Sequence, residues 1–159
     1  MKQIQLKKPG GLDNILLCDA DIPKPNSNEI VIKIAASSLN YHDLLVALGF
    51  IPTEDGRVPL SDAAGEIVEI GSDVKDWKVG DHVMSVCFPN WQNGAPKYEL
   101  LSFIGDHEDG YAAEYIAIQE TAVTRMPSYM NFAQAATLPC AGLTAWRALV
   151  DDGNLKAGE

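Results

Sequence analysis

A chain of 159 residues that is 47% hydrophobic carries enough apolar material for one substantial buried core, so one compact unit is expected. Its net charge of −10 weighs against nucleic acid and anionic membranes as partners, because both attract basic surfaces. The cysteines Cys18, Cys87 and Cys140 are scattered and form no C-x-x-C pair, which favours a reduced, cytoplasmic protein over a disulfide framework.

Residues 1–6 alternate, with Ile4 and Leu6 apolar, and read as a short strand ended by the turn signal Pro9-Gly10-Gly11. This first segment lacks the apolar core of a signal peptide, and no run of roughly 20 apolar residues offers a membrane span. Residues 15–18 read as a second short strand, followed by a Pro- and Asn-rich connection over 22–28. Residues 29–37, EIVIKIAAS, set Ile30, Ile32 and Ile34 against Val31, Lys33 and Ala35, the period of a strand. Residues 40–49, NYHDLLVALG, change period: Leu44, Leu45, Ala47 and Leu48 suit a short helix, with Asn40 as cap and Gly49 as terminator.

The stretch 58–83, VPLSDAAGEIVEIGSDVKDWKVGDHV, organises the rest. Its apolar runs, 64–70 and 82–86, read as strands, and Gly71, Ser72, Asp73 and Gly80-Asp81 supply the turn between them, with Trp77 packing it. Gly65 inside the first run predicts a bulge or a close backbone approach. Ser61 and Asp62 stand at that strand's mouth, where polar groups would meet a ligand. Residues 85–110 are broken by Pro89, Asn90, Asn93, Gly94, Pro96, Gly105 and Gly110 and read as a functional lobe or a mobile loop. Strand character returns over 112–118 and 122–126. One helical turn is expected over 131–137, then a longer helix over 140–150 with Pro139 in its first turn and Gly153 just past its end.

Three motifs in this order carry a resemblance. They are PLSDAAGEIVEIG followed by VGDHV, the G-x-x-A-E-Y of residues 110–115, and PCAGLTAWRAL of residues 139–149. Together the chain resembles the N-terminal GroES-like domain of the medium-chain dehydrogenases/reductases, which include alcohol dehydrogenases and quinone reductases. The resemblance runs from about Ile4 to the last residue. It implies a mainly β (α+β) fold, a partly open β-barrel with short helices. Residues 1–130 would be the GroES-like catalytic domain, and 131–159 the helices leading to a nucleotide-binding domain that the chain lacks. A dinucleotide site needs a G-x-G-x-x-G turn opening a helix, and none occurs; the chain stops at Glu159 about where the first Rossmann strand would begin.

In zinc-bearing members of that family, the catalytic metal is held at positions that here are Asn40, Ser61 and Cys140. An amide and a hydroxyl are poor zinc ligands beside one thiolate, so no metal is expected, although Asp62 and the nearby His42 leave a residual site open. The lobe of a structural zinc needs four closely spaced cysteines, and that region offers only Cys87. A zinc-free member must polarise its carbonyl with a hydrogen-bond donor. The resemblance puts the Tyr41 hydroxyl in that catalytic role and Asn40, Tyr41 and Thr144 beside the cofactor. Ser61, Asp62 and Cys140 would line the substrate cleft. Each has a plainer reading: a packed aromatic for Tyr41, a helix cap for Asn40, a back-bonded hydroxyl for Thr144 and a small buried hydrophobe for Cys140. His82 and His107 read as structural or exposed.

The implied function is the substrate-cleft half of an NAD(P)H-dependent oxidoreductase, inactive alone. It would reduce a quinone, enone or other carbonyl, or oxidise an alcohol, by hydride transfer without zinc and with NADP or NAD. A fragment of a zinc-dependent alcohol dehydrogenase and a free-standing GroES-like binding or assembly module are the alternatives. The expected partner is a small-molecule carbonyl or quinone, with no nucleic acid or membrane, in a cytoplasmic homo-oligomer. Leu138, Leu143, Trp146, Leu149 and Val150 form a set too apolar to face water on all sides, and part of it is expected to lie exposed.

Overall fold

The structure, a computed structural model, describes residues 1–95, 97–100 and 102–158. Pro96 and Glu159, both used in the sequence reading, lie outside the described residues.

Two sheets form. The strands β1 (Lys2–Leu6) and β2 (Ile15–Asp19) pair antiparallel as a hairpin. The larger sheet contains β3 (Glu29–Ser38), β4 (Asp62–Ile70), β5 (His82–Ser85), β6 (Tyr115–Gln119) and β7 (Val123–Arg125). Its five strands run antiparallel in the order β6-β3-β4-β5-β7, an open sheet that does not close into a barrel. The helices are short: α1 (Tyr41–Ala47), α2 (Phe132–Ala135) and α3 (Leu143–Trp146). The mostly-sheet class with few short helices agrees with the sequence expectation.

β4 is buried on both faces at its start because successive side chains point to opposite sides. Ala63 joins the main core of Ile30, Ile32, Ile67, Val83, Ile104, Tyr111 and Val123. Its neighbour Ala64 packs with Ala135 and Ala136 beneath Met84, Met126 and Phe132. Gly65 makes the close approach its position predicted. A Cβ there would run into the Lys33 carbonyl and lie 2.8 Å from the Ile32 side chain, and β3 shifts register opposite it, between Ile34 and Ala36. A second shift between Val31 and Ile32 explains why Val31 is buried along with the isoleucines instead of alternating with them.

The irregular segment after β5 is anchored at its far end. Ile104 and Tyr111 enter the core, and the Tyr111 N–H donates to the Leu60 carbonyl at 2.9 Å. Leu60 holds φ 80, a left-handed conformation that is unfavourable for a residue with a Cβ. Two glycines pack against it, Gly105 and Gly110, where side chains would collide with the backbone of residues 59–60. The strained residue immediately precedes Ser61.

The C-terminal run is helical throughout but not uniformly α. π-helical turns at Leu138–Gly142 and Arg147–Asp152 flank α3, and Gly153 caps the end. Leu143, Trp146 and Leu149 are 53–61% exposed, so the apolar set is only half covered.

Gly110→Ala would press a methyl group into the carbonyl oxygens of Pro59 and Leu60. A loss of about 3 kcal/mol is expected by denaturant melting, the upper end of ordinary overpacking costs. Gly80→Ala, where nothing lies within 4 Å, should cost only the left-handed backbone penalty of about 1–2 kcal/mol.

Candidate functional site

Four segments meet at the mouth of β4. The first turn of α1 supplies Asn40 to Asp43, the start of β4 supplies Ser61 and Asp62, the segment after β5 supplies Cys87, and the first π turn supplies Cys140. Asn40 and Asp43 form the capping box their three-residue offset permits, with Asp43 Oδ2 accepting the Asn40 N–H at 2.7 Å. The other oxygen of Asp43 accepts the Ser61 N–H at 3.1 Å. This buried carboxylate therefore ties the helix start to the strand mouth.

With its backbone fixed, Asn40 turns its side-chain amide inward. Nδ2 donates to Ser61 Oγ at 3.2 Å and to Asp62 Oδ2 at 3.0 Å. The same Asp62 oxygen accepts the Cys140 N–H at 3.3 Å, which links the C-terminal helix to the set. Asn40 is thus both the cap and a site residue. Asp62 is fully buried, and its Oδ1 has no partner among the described residues.

Burial raises the Asp62 carboxyl above its ordinary range, against the lowering effect of the Asn40 and Cys140 donors, and the nearby Asp43 charge adds to the rise. Burial likewise pushes the Cys87 thiol up to about 12, reinforced by the Asp62 charge and by Cys140. The Cys140 thiol also moves upward, chiefly by burial and by Asp62, while its bond to Cys87 pulls the other way. Tyr111, whose hydroxyl is buried without a partner among the described residues, is raised by burial as well. The two thiols and the Tyr111 phenol stay in their neutral forms, and Asp62 is shifted toward its neutral form.

Of the residues expected at the site, the structure brings Asn40, Ser61, Asp62 and Cys140 into one hydrogen-bonded set. Tyr41 and Thr144 stand outside it, both exposed. Beyond Cys87 an apolar groove of about 340 Å³ opens between Met84, Pro139, Leu143 and Trp146. Asp43, Cys87 and Tyr111 were missed by sequence reasoning; only the offset between Asn40 and Asp43 could have signalled one of them. At the family's metal positions the chain offers an amide, a hydroxyl and one thiol, and an amide and a hydroxyl are poor zinc ligands. Among the described residues no three His, Cys, Asp or Glu side chains gather as ligands.

The alcohol dehydrogenase GroES-like domain family matches residues 26–128. The chain belongs to this family, the GroES-like domain of the medium-chain dehydrogenases/reductases. It is 36% identical over 143 residues to a zinc-type alcohol dehydrogenase-like protein of Schizosaccharomyces pombe, an alignment covering 87% of this chain and 41% of that protein. It is also 36% identical over 151 residues to a chloroplast envelope quinone oxidoreductase homolog of Arabidopsis thaliana, covering 92% and 41%. The solved quinone oxidoreductase of Coxiella burnetii superposes with TM-score 0.78 at 30% identity, covering 100% of this chain and 47% of that one. The chain spans about two fifths of the length of these curated relatives.

Asp62→Asn tests the electrostatics. The raised carboxyl pKa means that folded-state stability is fully present below the ordinary Asp pKa and is lost as pH rises through the folded-state value. Asparagine keeps an oxygen for the Asn40 and Cys140 donors and needs no proton. The variant should therefore melt above the parent at pH 7–8, with the gap closing as pH falls below the ordinary carboxylate range of about 4. A wild-type advantage that grows with pH would contradict the protonated form.

Proposed function

We propose that this chain is the substrate-cleft part of an NAD(P)H-dependent oxidoreductase that reduces a quinone, enone or other carbonyl, or oxidises an alcohol, without zinc. Residues 1–130 form its catalytic domain, and 131–159 lead toward a nucleotide-binding part. The observation that carries this reading is the Asn40–Ser61–Asp62–Cys140 set. It occupies the metal positions of the zinc-bearing family pattern with hydrogen-bonding groups. The names of the Arabidopsis and Coxiella relatives support a quinone-type substrate.

NADPH or NADH, when bound along this cleft, would supply the hydride. The exposed Thr144 and the apolar groove beside Pro139, Leu143 and Trp146 suit one face of a flat nicotinamide. No glycine-rich turn for a pyrophosphate occurs in these residues. Asn40, held by Asp43, keeps the cleft wall rigid. Tyr41, at the first position of α1 with its ring out of the core, offers its hydroxyl to the oxygen on which charge develops. The apolar groove excludes water from that oxygen. We place the enzyme in the cytoplasm as a homo-oligomer in which the exposed Leu143, Trp146 and Leu149 are covered.

The test is steady-state reduction of a quinone and enone panel by the complete enzyme with NADPH and NADH, together with elemental analysis. Tyr41→Phe should lower kcat by about 10²-fold with little change in KM, the cost of losing one oxyanion donor. One tightly held zinc per chain, lost in Cys140→Ser, would overturn the zinc-free part. Wild-type turnover unaffected by Y41F would remove Tyr41 from the mechanism.

A further inference from the structure

Seven of the eight asparagines in this chain have their side chains engaged. Asn14, Asn26, Asn28, Asn40 and Asn90 donate through Nδ2, and Asn131 and Asn154 accept through Oδ1. Each of those amides is oriented by its partner. The eighth, Asn93, is exposed, and its amide meets no hydrogen-bond partner among the described residues.

Asn93 is followed by Gly94, in a tip of the segment after β5 where residues 92–95 are all exposed. The chain entering the tip is anchored. The Trp91 N–H donates to the Phe88 carbonyl at 3.0 Å, and Gln92 Nε2 donates to the Pro89 and Thr121 carbonyls at 2.6 and 3.2 Å. Past that anchor Gly94 holds φ 79, and a Cβ built there would meet nothing within 4 Å. Its carbonyl accepts the Trp91 indole N–H at 3.1 Å, but its own N–H donates to no acceptor among the described residues. Neither a side chain of its own nor a hydrogen bond holds the Gly94 nitrogen away from the Asn93 amide carbon.

Asparagine is a thermolabile residue, and what protects it in a fold is geometry. The amide carbon must be reached by the next backbone nitrogen, which a bulky neighbour screens and a hydrogen bond restrains. Both protections are missing at Asn93. We propose that Asn93 is a modification site, where the chain deamidates through a succinimide to leave aspartate and isoaspartate. Water is the only co-reactant, and the inference stands apart from the reductase reading. Asp55, Asp109 and Asp152 also precede glycines, but each carboxylate is tied in a hydrogen bond or an ion pair and has no ammonia to lose.

The step involves no oxidation or reduction. The Gly94 nitrogen gives its proton to solvent and bonds to Asn93 Cγ, and the Cγ–Nδ2 bond breaks as ammonia leaves with a proton. Water then opens the ring. Cleavage of the new bond to Cγ gives aspartate, and cleavage of the bond to the main-chain carbonyl carbon gives isoaspartate. One water enters and one ammonia departs. In the isoaspartyl product the backbone runs through the former side chain, one methylene longer, which draws the Gly94 carbonyl away from the Trp91 indole.

Peptide mapping by mass spectrometry decides, on the 159-residue chain aged at mildly alkaline pH. The peptide holding Asn93 should convert first, and ion exchange should resolve a species one negative charge beyond the parent's −10. Folded and urea-unfolded chains should convert at Asn93 within about twofold of one another, because a tip without protecting contacts needs about zero opening free energy. Asn26, which precedes the small Ser27 but donates to Glu29, should be slowed by folding. Asn93→Gln, whose longer side chain must close a larger ring, should remove the acidic species. Conversion of another asparagine ahead of Asn93 overturns the assignment. So does protection of Asn93 by folding of more than about tenfold, or an acidic species that persists in N93Q.

Discussion

The two hydrogen bonds accepted by Asp43 are the constraint on which the site depends. One closes the first turn of α1 and the other holds Ser61 at the mouth of β4, so a helix and a strand from separate parts of the chain share one buried carboxylate. Removing that carboxylate would strand two backbone N–H groups, and buried donors without acceptors cost about 1–3 kcal/mol each. With the Asn40 backbone fixed, its side chain serves the capping box and its amide nitrogen bridges Ser61 and Asp62. The link then passes through Asp62 to the Cys140 N–H, so the C-terminal helix is oriented by a chain of contacts that begins in α1.

The strand mouth is held from the other side by strain. Leu60 at φ 80 would relax if its surroundings allowed it, and such a conformation costs about 1–3 kcal/mol. Backbone hydrogen bonds from residues 110–112 to residues 58–60, and glycines that admit direct backbone contact, over-determine it. The same stretch carries Asp106 and Asp109, which reach back to His42 and Arg57. The segment that looks least regular in sequence is thus what clamps the turn preceding Ser61.

How much of this was legible follows from the range of each interaction. Strand alternation, the Gly65 approach and the Asn40–Asp43 offset are local, and periodicity or spacing within a few residues reveals them. The Asn40, Ser61 and Cys140 positions became visible through family resemblance, not through any spacing. The His42–Asp106 pair joins residues 64 apart, and nothing near either one in the chain announces the other. The left-handed Leu60 was equally hidden, because leucine gives no local signal for positive φ. The π turns around α3 escaped for a related reason: apolar spacing there fits an α-helix, and the wider turns are a tertiary outcome.

The direction in which burial moves the acids at this site opposes the deprotonation that a metal centre requires. A zinc site works by holding thiolates and neutral imidazoles around a divalent charge, which needs an environment that lowers thiol pKa values. Here burial first, and then the Asp62 and Asp43 charges, move Cys87 and Cys140 toward their neutral forms, and burial with the Asp43 charge moves Asp62 the same way. Each proton makes its group a hydrogen-bond donor without adding charge. The donors that converge on Asp62 are the Asn40 amide and the Cys140 N–H, neutral groups that offset only part of the cost of burying its carboxyl.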